Sequence, residues 1–356
     1  MTTKARIAVI GSGWWATEAH IPAIREHPEA DLVAICDRDP VRLGTAANAY
    51  GVERTYLDYH EMLAAEDLDG IVIATPHATH YSITRDCLNH GLHVLLEKPM
   101  TLFAREARDL VELADSQQKQ LIIGYPYNFM PHAIRARETI LSGELGAVQY
   151  VNCTFASNVL RFLDGSVAPD RAPTRYRVQG PSTAYNDPNL LGGGEGHLQI
   201  THIAGLMFFV TGLQIAQVNA LMANYGLATD VVDVMAIAFR GGALGLVGGT
   251  GNANANYKMS VTVYCERGRL DADSGFRLAS LKRADGSEIA LEEPKGGNLR
   301  NATTHNLIDV ALGRAENGSP AEVGWRTVEL LDAAYRSAAA QGRGVTAEDL
   351  YAEGPA

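Results

Sequence analysis

Two stretches carry residues able to move protons. In residues 93–99, HVLLEKP, a short apolar run ends in Glu97 and Lys98. A lysine at a strand end is either a surface cation paired with its neighbour or an amine desolvated enough for acid–base work. In residues 192–202, GGGEGHLQITH, three glycines lead into an apolar helix bearing His197 and His202. Glycine lets main chain approach a ligand without side-chain obstruction. Histidine titrates near neutrality, yet on an apolar helix it is by default a hydrogen-bonded core residue. The two rings are five residues apart, about 140° around an α-helix, so they need not share a face. Zinc on a helix favours an i, i+4 pair, and His77, His80 and His93 lack a carboxylate cluster, so no metal is expected.

The elements that would position these residues begin at the N-terminus. Residues 7–10 are an apolar run suited to a strand buried on both faces. Gly11-Ser12-Gly13-Trp14-Trp15-Ala16 follows, with G-x-G-x-x-A spacing. Gly11 permits the turn, Gly13 admits a pyrophosphate, and Ala16 lets the helix pack on the strand. A second run, 32–36, ends in Asp37, 21 residues beyond Ala16. An acid there binds ribose hydroxyls and repels a 2′-phosphate, so NAD is expected over NADP. Arg38 is the counterweight, since it could stack on adenine or take that phosphate. Runs at 71–74, 93–96 and 121–124 alternate with helical segments. The pattern predicts an α/β Rossmann domain, a parallel doubly wound sheet, over residues 1–125. Thr75, Pro76, His77 and His80 then lie beyond a strand C-terminus, where such sheets bind ligands.

After Tyr125 the pattern changes. Residues 131–141 read as a helix. Strands follow at 148–156, 215–222, 231–239, 244–250, 259–265 and 269–272 with few helices between. This predicts an α+β domain over 126–356 with a large open, mainly antiparallel sheet. A helix at about 323–340 should pack back on the first domain. Residues 160–191 lack periodicity and carry Arg161, Arg171, Arg175 and Arg177. They read as a substrate-covering loop, a subunit arm or a solvated excursion.

Composition narrows the function. The chain has 356 residues, enough for two domains, with 30 Lys and Arg against 41 Asp and Glu and a net charge of −11. That argues against nucleic acid and anionic membrane as partners. Cys36, Cys87, Cys153 and Cys265 form no C-x-x-C pair, which suits free thiols in a reducing cytoplasm. The N-terminal apolar run is too short for a signal peptide, and no run is long enough to span a membrane.

The sequence resembles the Gfo/Idh/MocA family of nicotinamide-dependent sugar and polyol oxidoreductases. The marks are GSGWWA at 11–16, CDRD at 36–39, ATPHATH at 74–80, HVLLEKPM at 93–100, the segment 127–146 and GGGEGHLQITH at 192–202. The resemblance implies that Lys98 is a catalytic lysine beside the nicotinamide and that Lys98–Pro99 is a cis bond. Gly11, Gly13, Trp14, Trp15, Asp37, Arg38, Thr75, Pro76, His77, His80, Glu97 and Lys98 are the candidate cofactor contacts. Tyr127, Asn128, Tyr185, Asn186, His197, Gln199 and His202 are the candidate substrate contacts. His202 matches the family histidine that faces the nicotinamide, an acid/base partner or hydroxyl binder. The family aspartate four residues earlier falls on Leu198, a departure, with Gln199 the nearest polar substitute.

The activity this implies is NAD-dependent oxidation of a secondary hydroxyl on a sugar, glycoside or polyol. Lys98 moves the proton and His202 binds or polarises the hydroxyl. Residues 183–202 after a long loop look more like branches acting on pyranosides, some of which oxidise glycosides at C3. Two alternatives stand beside it. One is a redox-neutral enzyme with retained NAD that cleaves or epimerises glycosides. The other is a non-catalytic NAD sensor. A small carbohydrate or polyol is the expected partner, with a homodimer or homotetramer as the assembly.

Overall fold

The apolar runs of the first third become six parallel strands. In the computed structural model, residues 4–166, 177–180, 183–253, 257–273, 275, 277–291 and 299–352 are described. The strands are β1 (Ala5–Ile10), β2 (Ala30–Cys36), β3 (Thr55–Tyr56), β4 (Gly70–Ile73), β5 (His93–Leu96) and β6 (Leu121–Ile123). They pair in the order β3-β2-β1-β4-β5-β6. Ile7, Val9, Ile71, Val72, Ile73, Val94 and Leu95 are fully buried, because helices cover both faces. The strand order reverses between β1 and β4, and a ligand crevice opens beyond the strand C-termini at such a switch point. β3 spans two residues and has no apolar run, so no local pattern marks it.

The second sheet contains β7 (Val148–Ala156), β8 (Ile215–Ala223), β9 (Val232–Phe239), β10 (Leu244–Thr250), β11 (Lys258–Cys265), β12 (Gly268–Asp273), β13 (Leu278–Arg283), β14 (Glu288–Ile289) and β15 (Val345–Thr346). Its order is β14-β13-β12-β11-β7-β10-β9-β8-β15. The neighbours pair antiparallel, apart from β7 with β10, which run parallel. A parallel pair needs a long crossover, and residues 157–214 supply it. The sheet is therefore mixed. β13, β14 and β15 go beyond the strands expected from the sequence.

Helices Thr201–Thr211 and Ala321–Ala339 pack against each other; the first touches β7 and β11, the second β8. Val151, Cys153, Val218, Met235, Val247 and Val261 form the buried side of the sheet. Leu221, Val234, Leu244 and Leu246 alternate with them and are exposed. The helix Ala321–Ala339 also packs on the helix Ala104–Ser116 and on β6. Helix Ala302–Ala311 lies over the first sheet, with Leu307 and Ile308 fully buried in its core. Two C-terminal helices thus reach back, where the sequence pattern suggested one. No described helix is long and apolar enough to cross a membrane.

Candidate active site

The turn after β1 is built for close approach. Gly11 has φ +91°, and a Cβ there would stand 2.4 Å from the Ala74 carbonyl oxygen, so only glycine fits. At Gly13 a Cβ would meet nothing within 4 Å, which leaves the main chain open to a ligand. Asp37, at the end of β2, is nearly buried. Its Oδ2 accepts from the Ser12 N–H at 2.9 Å and the Ser12 hydroxyl at 3.0 Å, and its Oδ1 accepts from the Asp39 N–H. The expected ribose acid therefore also braces the glycine turn. Arg42 Nε lies 3.3 Å from Asp37 Oδ2, while Arg38 is exposed. These residues fit a dinucleotide: a tight turn, an open glycine and an acid at the neighbouring strand end.

The loop after β5 places the lysine. Glu97 Oε1 accepts from Trp15 Nε1 at 2.9 Å and lies 3.0 Å from His20 Nε2. His20 Nδ1 in turn lies 2.8 Å from Thr304 Oγ1. Burial raises the Glu97 carboxyl, but His20, Lys98 and Trp15 outweigh it and hold it below the usual range. The Trp15 ring N–H is thus engaged by Glu97. The Lys98–Pro99 bond is cis. Lys98 Nζ donates to the Leu198 carbonyl oxygen at 2.9 Å. Burial draws its pKa below that of a free lysine, against the opposing charges of Glu97 and Glu195.

Histidines surround this amine in different roles. His80 is fully buried, with Nδ1 2.8 Å from the Pro99 oxygen and Nε2 3.0 Å from the Thr75 oxygen. It ties the two loops together, and both ring nitrogens are engaged by main chain. His77 Nδ1 lies 2.9 Å from the Leu191 oxygen, and its ring is 6.4 Å from that of His197. Thr75 Oγ1 accepts from the Thr79 hydroxyl, and Pro76 is half-buried beside it. His202 is half-buried, with its ring 6.0 Å from Tyr127 and 6.4 Å from Tyr125 and Phe155. Its Nδ1 has no hydrogen-bond partner among the described residues. Burial, then the charge of Lys98, holds its pKa well below the ordinary value, so the ring is neutral near pH 7. Among the described residues no group of three or more His, Cys, Asp or Glu side chains is arranged to hold a metal ion.

Comparison with known proteins accounts for most of the chain. Residues 5–125 match a model described as oxidoreductase family, NAD-binding Rossmann fold, and residues 133–271 match the GFO/IDH/MocA C-terminal domain. The chain belongs to the GFO/IDH/MocA family. It is similar to the D-xylose 1-dehydrogenase (NADP(+)) 2 of Haloferax volcanii, 32% identical over 168 residues, 46% of this chain and 50% of that protein. It is also similar to the D-glucoside 3-dehydrogenase of Escherichia coli, 29% identical over 147 residues, 41% of this chain and 42% of that protein. The chain thus spans about half the length of these curated relatives, or less. Over its whole length it resembles GenD2 from gentamicin A biosynthesis, solved in complex with NAD. That match has a TM-score of 0.76 and 26% identity, and it covers 97% of each chain.

The glycine-led helix lacks the carboxylate that the resemblance implies at this register. Leu198 is buried and has no carboxylate to offer, and its main-chain oxygen takes the lysine instead. The glycines before it are closely packed by other segments of the chain. A Cβ at Gly194 would stand 2.0 Å from the Asp230 oxygen, and one at Gly193 would stand 2.0 Å from Tyr335 Oη. Asp230 Oδ1 and Oδ2 accept from the Gly194 and Gly196 N–H groups at 2.7 and 2.9 Å, and Tyr335 donates to Oδ1 at 2.9 Å. The segment Gly196–Ile200 is a π-helical turn, so the α-helical angle between His197 and His202 does not apply. Even so, their neighbours differ: the His197 ring is 4.6 Å from that of Tyr335. Burial, with help from Lys98 against Asp230, draws the His197 pKa to about 4. Glu195 is the acid that sequence reasoning passed over. It is fully buried, and neither oxygen has a hydrogen-bond partner among the described residues. Burial and then the Asp230 charge push its carboxyl up to about 9, with Lys98 opposing. The available signal was a lone acid inside an apolar helix start.

The remaining candidates divide. Tyr127 stands beside His202, and Gln199 is half-buried on the same helix. Asn128 is buried and donates to Ser319 Oγ at 3.1 Å, which turns its amide towards the core. Tyr185 packs 6.2 Å from Trp14 and 5.7 Å from Phe162, with Asn186 next to it against Gly165. Arg161 lies over the Phe162 ring. The Arg177 N–H donates to Glu18 at 2.5 Å and Gln179 Nε2 to the Ser12 carbonyl. Both described ends of this excursion therefore rest near the dinucleotide turn of the same chain. Arg171 and Arg175 lie outside the described residues.

Proposed function

We propose that this chain oxidises a secondary hydroxyl of a sugar, glycoside or polyol with a nicotinamide dinucleotide. The observation that carries the reading is the Lys98 amine, held by the Leu198 carbonyl next to a neutral histidine and beyond the switch point of a dinucleotide fold. A bound nicotinamide supplies the hydride acceptor. Lys98, as the neutral amine, takes the hydroxyl proton, and burial makes that form accessible. His202 offers one ring nitrogen to the substrate hydroxyl and polarises it. Gly11, Gly13 and Asp37 hold the dinucleotide, and Asp37 favours NAD over NADP. A pyranoside is the favoured substrate class, consistent with similarity to a D-glucoside 3-dehydrogenase.

The test is a panel of monosaccharides, inositols and glycosides with NAD and with NADP, followed at the nicotinamide absorbance and by product analysis. Lys98→Met should lower kcat by about 10²–10⁴ while leaving dinucleotide binding in place. Unchanged kcat in that variant would remove Lys98 from the chemistry. The missing carboxylate at Leu198 favours one second reading, redox-neutral glycoside cleavage or epimerisation with retained NAD. Product formed without accumulation of NADH would select it.

A further inference from the structure

A proton collected by Lys98 has to leave a cleft that holds both dinucleotide and substrate. Beside the glycine turn stands a group of acids that the oxidation itself does not use. Glu195 and Asp233 are both fully buried. The Glu195 carboxyl lies under the end of β10, where Cβ atoms at Gly249 and Gly251 would stand 3.3 and 3.1 Å from its oxygens. At Gly249 the main-chain oxygen of Phe155, 2.0 Å from the Cβ position, is the closer neighbour. A buried acid with both oxygens unpartnered is unusual and points to a water or a working role. Tyr335 Oη and Asp233 Oδ2 flank Gly196, 2.5 and 3.3 Å from where its Cβ would be. Asp230 joins them through its 2.9 Å bond from Tyr335.

Asp230 and Tyr335 also face outward. With Gly192, Gly193, Thr229 and Tyr225 they line a cavity of about 500 Å³ that does not include Lys98 or His202. Tyr225 is 75% exposed, so this cavity opens to solvent. Glu195 thus feels the charges of both Lys98 and Asp230, and Asp230 lines this cavity on another side of the glycine turn.

We propose that Glu195, Asp233 and Asp230, the last held by the Tyr335 hydroxyl, form a proton path from Lys98 to that cavity. The proposal rests on the dehydrogenase reading. A bound nicotinamide would accept the hydride from the substrate carbon, and Lys98 takes the hydroxyl proton. Glu195, a neutral acid, passes its own proton to the Asp230–Asp233 pair and receives the one from the Lys98 ammonium, through water where the gap requires it. Asp230 then releases a proton to the cavity. Lys98 ends as the amine, Glu195 as the acid and Asp230 as the carboxylate, with one proton delivered per alcohol oxidised. The ionisable groups around Glu195 are Lys98 from the loop after β5, Asp230 and Asp233 from the chain at and before β9, His197 on its own helix and Tyr335 from the helix Ala321–Ala339.

Glu195→Gln and Asp233→Asn keep shape and remove the exchangeable acid. In wild-type enzyme, proton release to a pH-indicator dye should keep pace with NADH formation. In E195Q the first hydride transfer should persist, while proton release and steady-state kcat fall about tenfold or more at unchanged KM. Glu195→Asp, which keeps an acid, should recover part of that loss. A readout independent of turnover is the infrared band of a protonated carboxylic acid near neutral pH. Its Glu195 component should be lost in E195Q and shift in Lys98→Met, leaving the contribution of the other buried acids. Folded E195Q and D233N enzymes with wild-type kcat and simultaneous proton release would overturn the path. So would an infrared band identical in wild type and E195Q, whatever the substrate panel shows. Absence of NADH from every sugar, with a Glu195 component of the band present and responsive to Lys98, would instead sink the dehydrogenase reading alone and support the Glu195–Lys98 link.

Discussion

Arg42 brings a guanidinium to within 3.3 Å of Asp37, so cofactor choice depends on two residues rather than one. Asp37→Ser removes the charge that repels a 2′-phosphate and frees Arg42 to bind it. The expected outcome is a shift of the NADP/NAD ratio of kcat/KM towards NADP by about tenfold, about 1.4 kcal/mol. An unchanged ratio would show that Asp37 does not face the ribose. Lys98 gives the pH dependence. Its neutral form is the base, so kcat for alcohol oxidation should rise with pH through a midpoint below that of free lysine. The Glu97 charge raises that midpoint, and Glu97→Gln should move it to lower pH. A pH–rate profile of both proteins checks the direction. A midpoint that did not move would mean that Lys98 is not the titrating base.

At the scale of the element, the two glycines of the first turn separate folding from binding. Gly11→Ala forces a side chain into a left-handed conformation and against the Ala74 oxygen, at a cost of about 1–3 kcal/mol or more. Gly13→Ala meets no protein atom and should leave Tm nearly unchanged while weakening dinucleotide binding. Thermal unfolding and NAD titration of both variants distinguish the roles. This turn is legible in sequence because its strain is local. The glycines at 192–194 read the same way in sequence, yet they make room for Leu102, Tyr335 and Asp230, which lie far along the chain. A glycine reports that space is needed and does not report what fills it.

For the whole molecule, the buried Glu195 couples stability to pH. The fold keeps its proton up to about 9, whereas an unfolded chain releases it near 4.5. The native state then binds more protons than the unfolded state across that window, so this group's contribution to stability falls as pH rises. Glu195→Gln removes the effect. Its Tm relative to wild type should therefore increase from pH 5 to pH 9, measured by thermal unfolding in matched buffers. A constant difference would show that Glu195 is ionised in the fold. The same comparison reports on the proton path without any substrate.

Residues 5–125 carried their own fold in the sequence, because parallel strands buried on both faces must be apolar and the turns between them are short. The positions of Gly11, Gly13, Asp37 and Lys98 at strand ends followed from those runs alone. What only the tertiary structure decided is the company each side chain keeps. His20 and Thr304 reach Glu97, Leu198 holds Lys98 through its main chain, and Asp230, Asp233 and Tyr335 gather behind Glu195. Such contacts join residues tens to hundreds of positions apart, where no local spacing can encode them. The parallel pairing of β7 with β10 has the same origin, since a crossover of dozens of residues sets it.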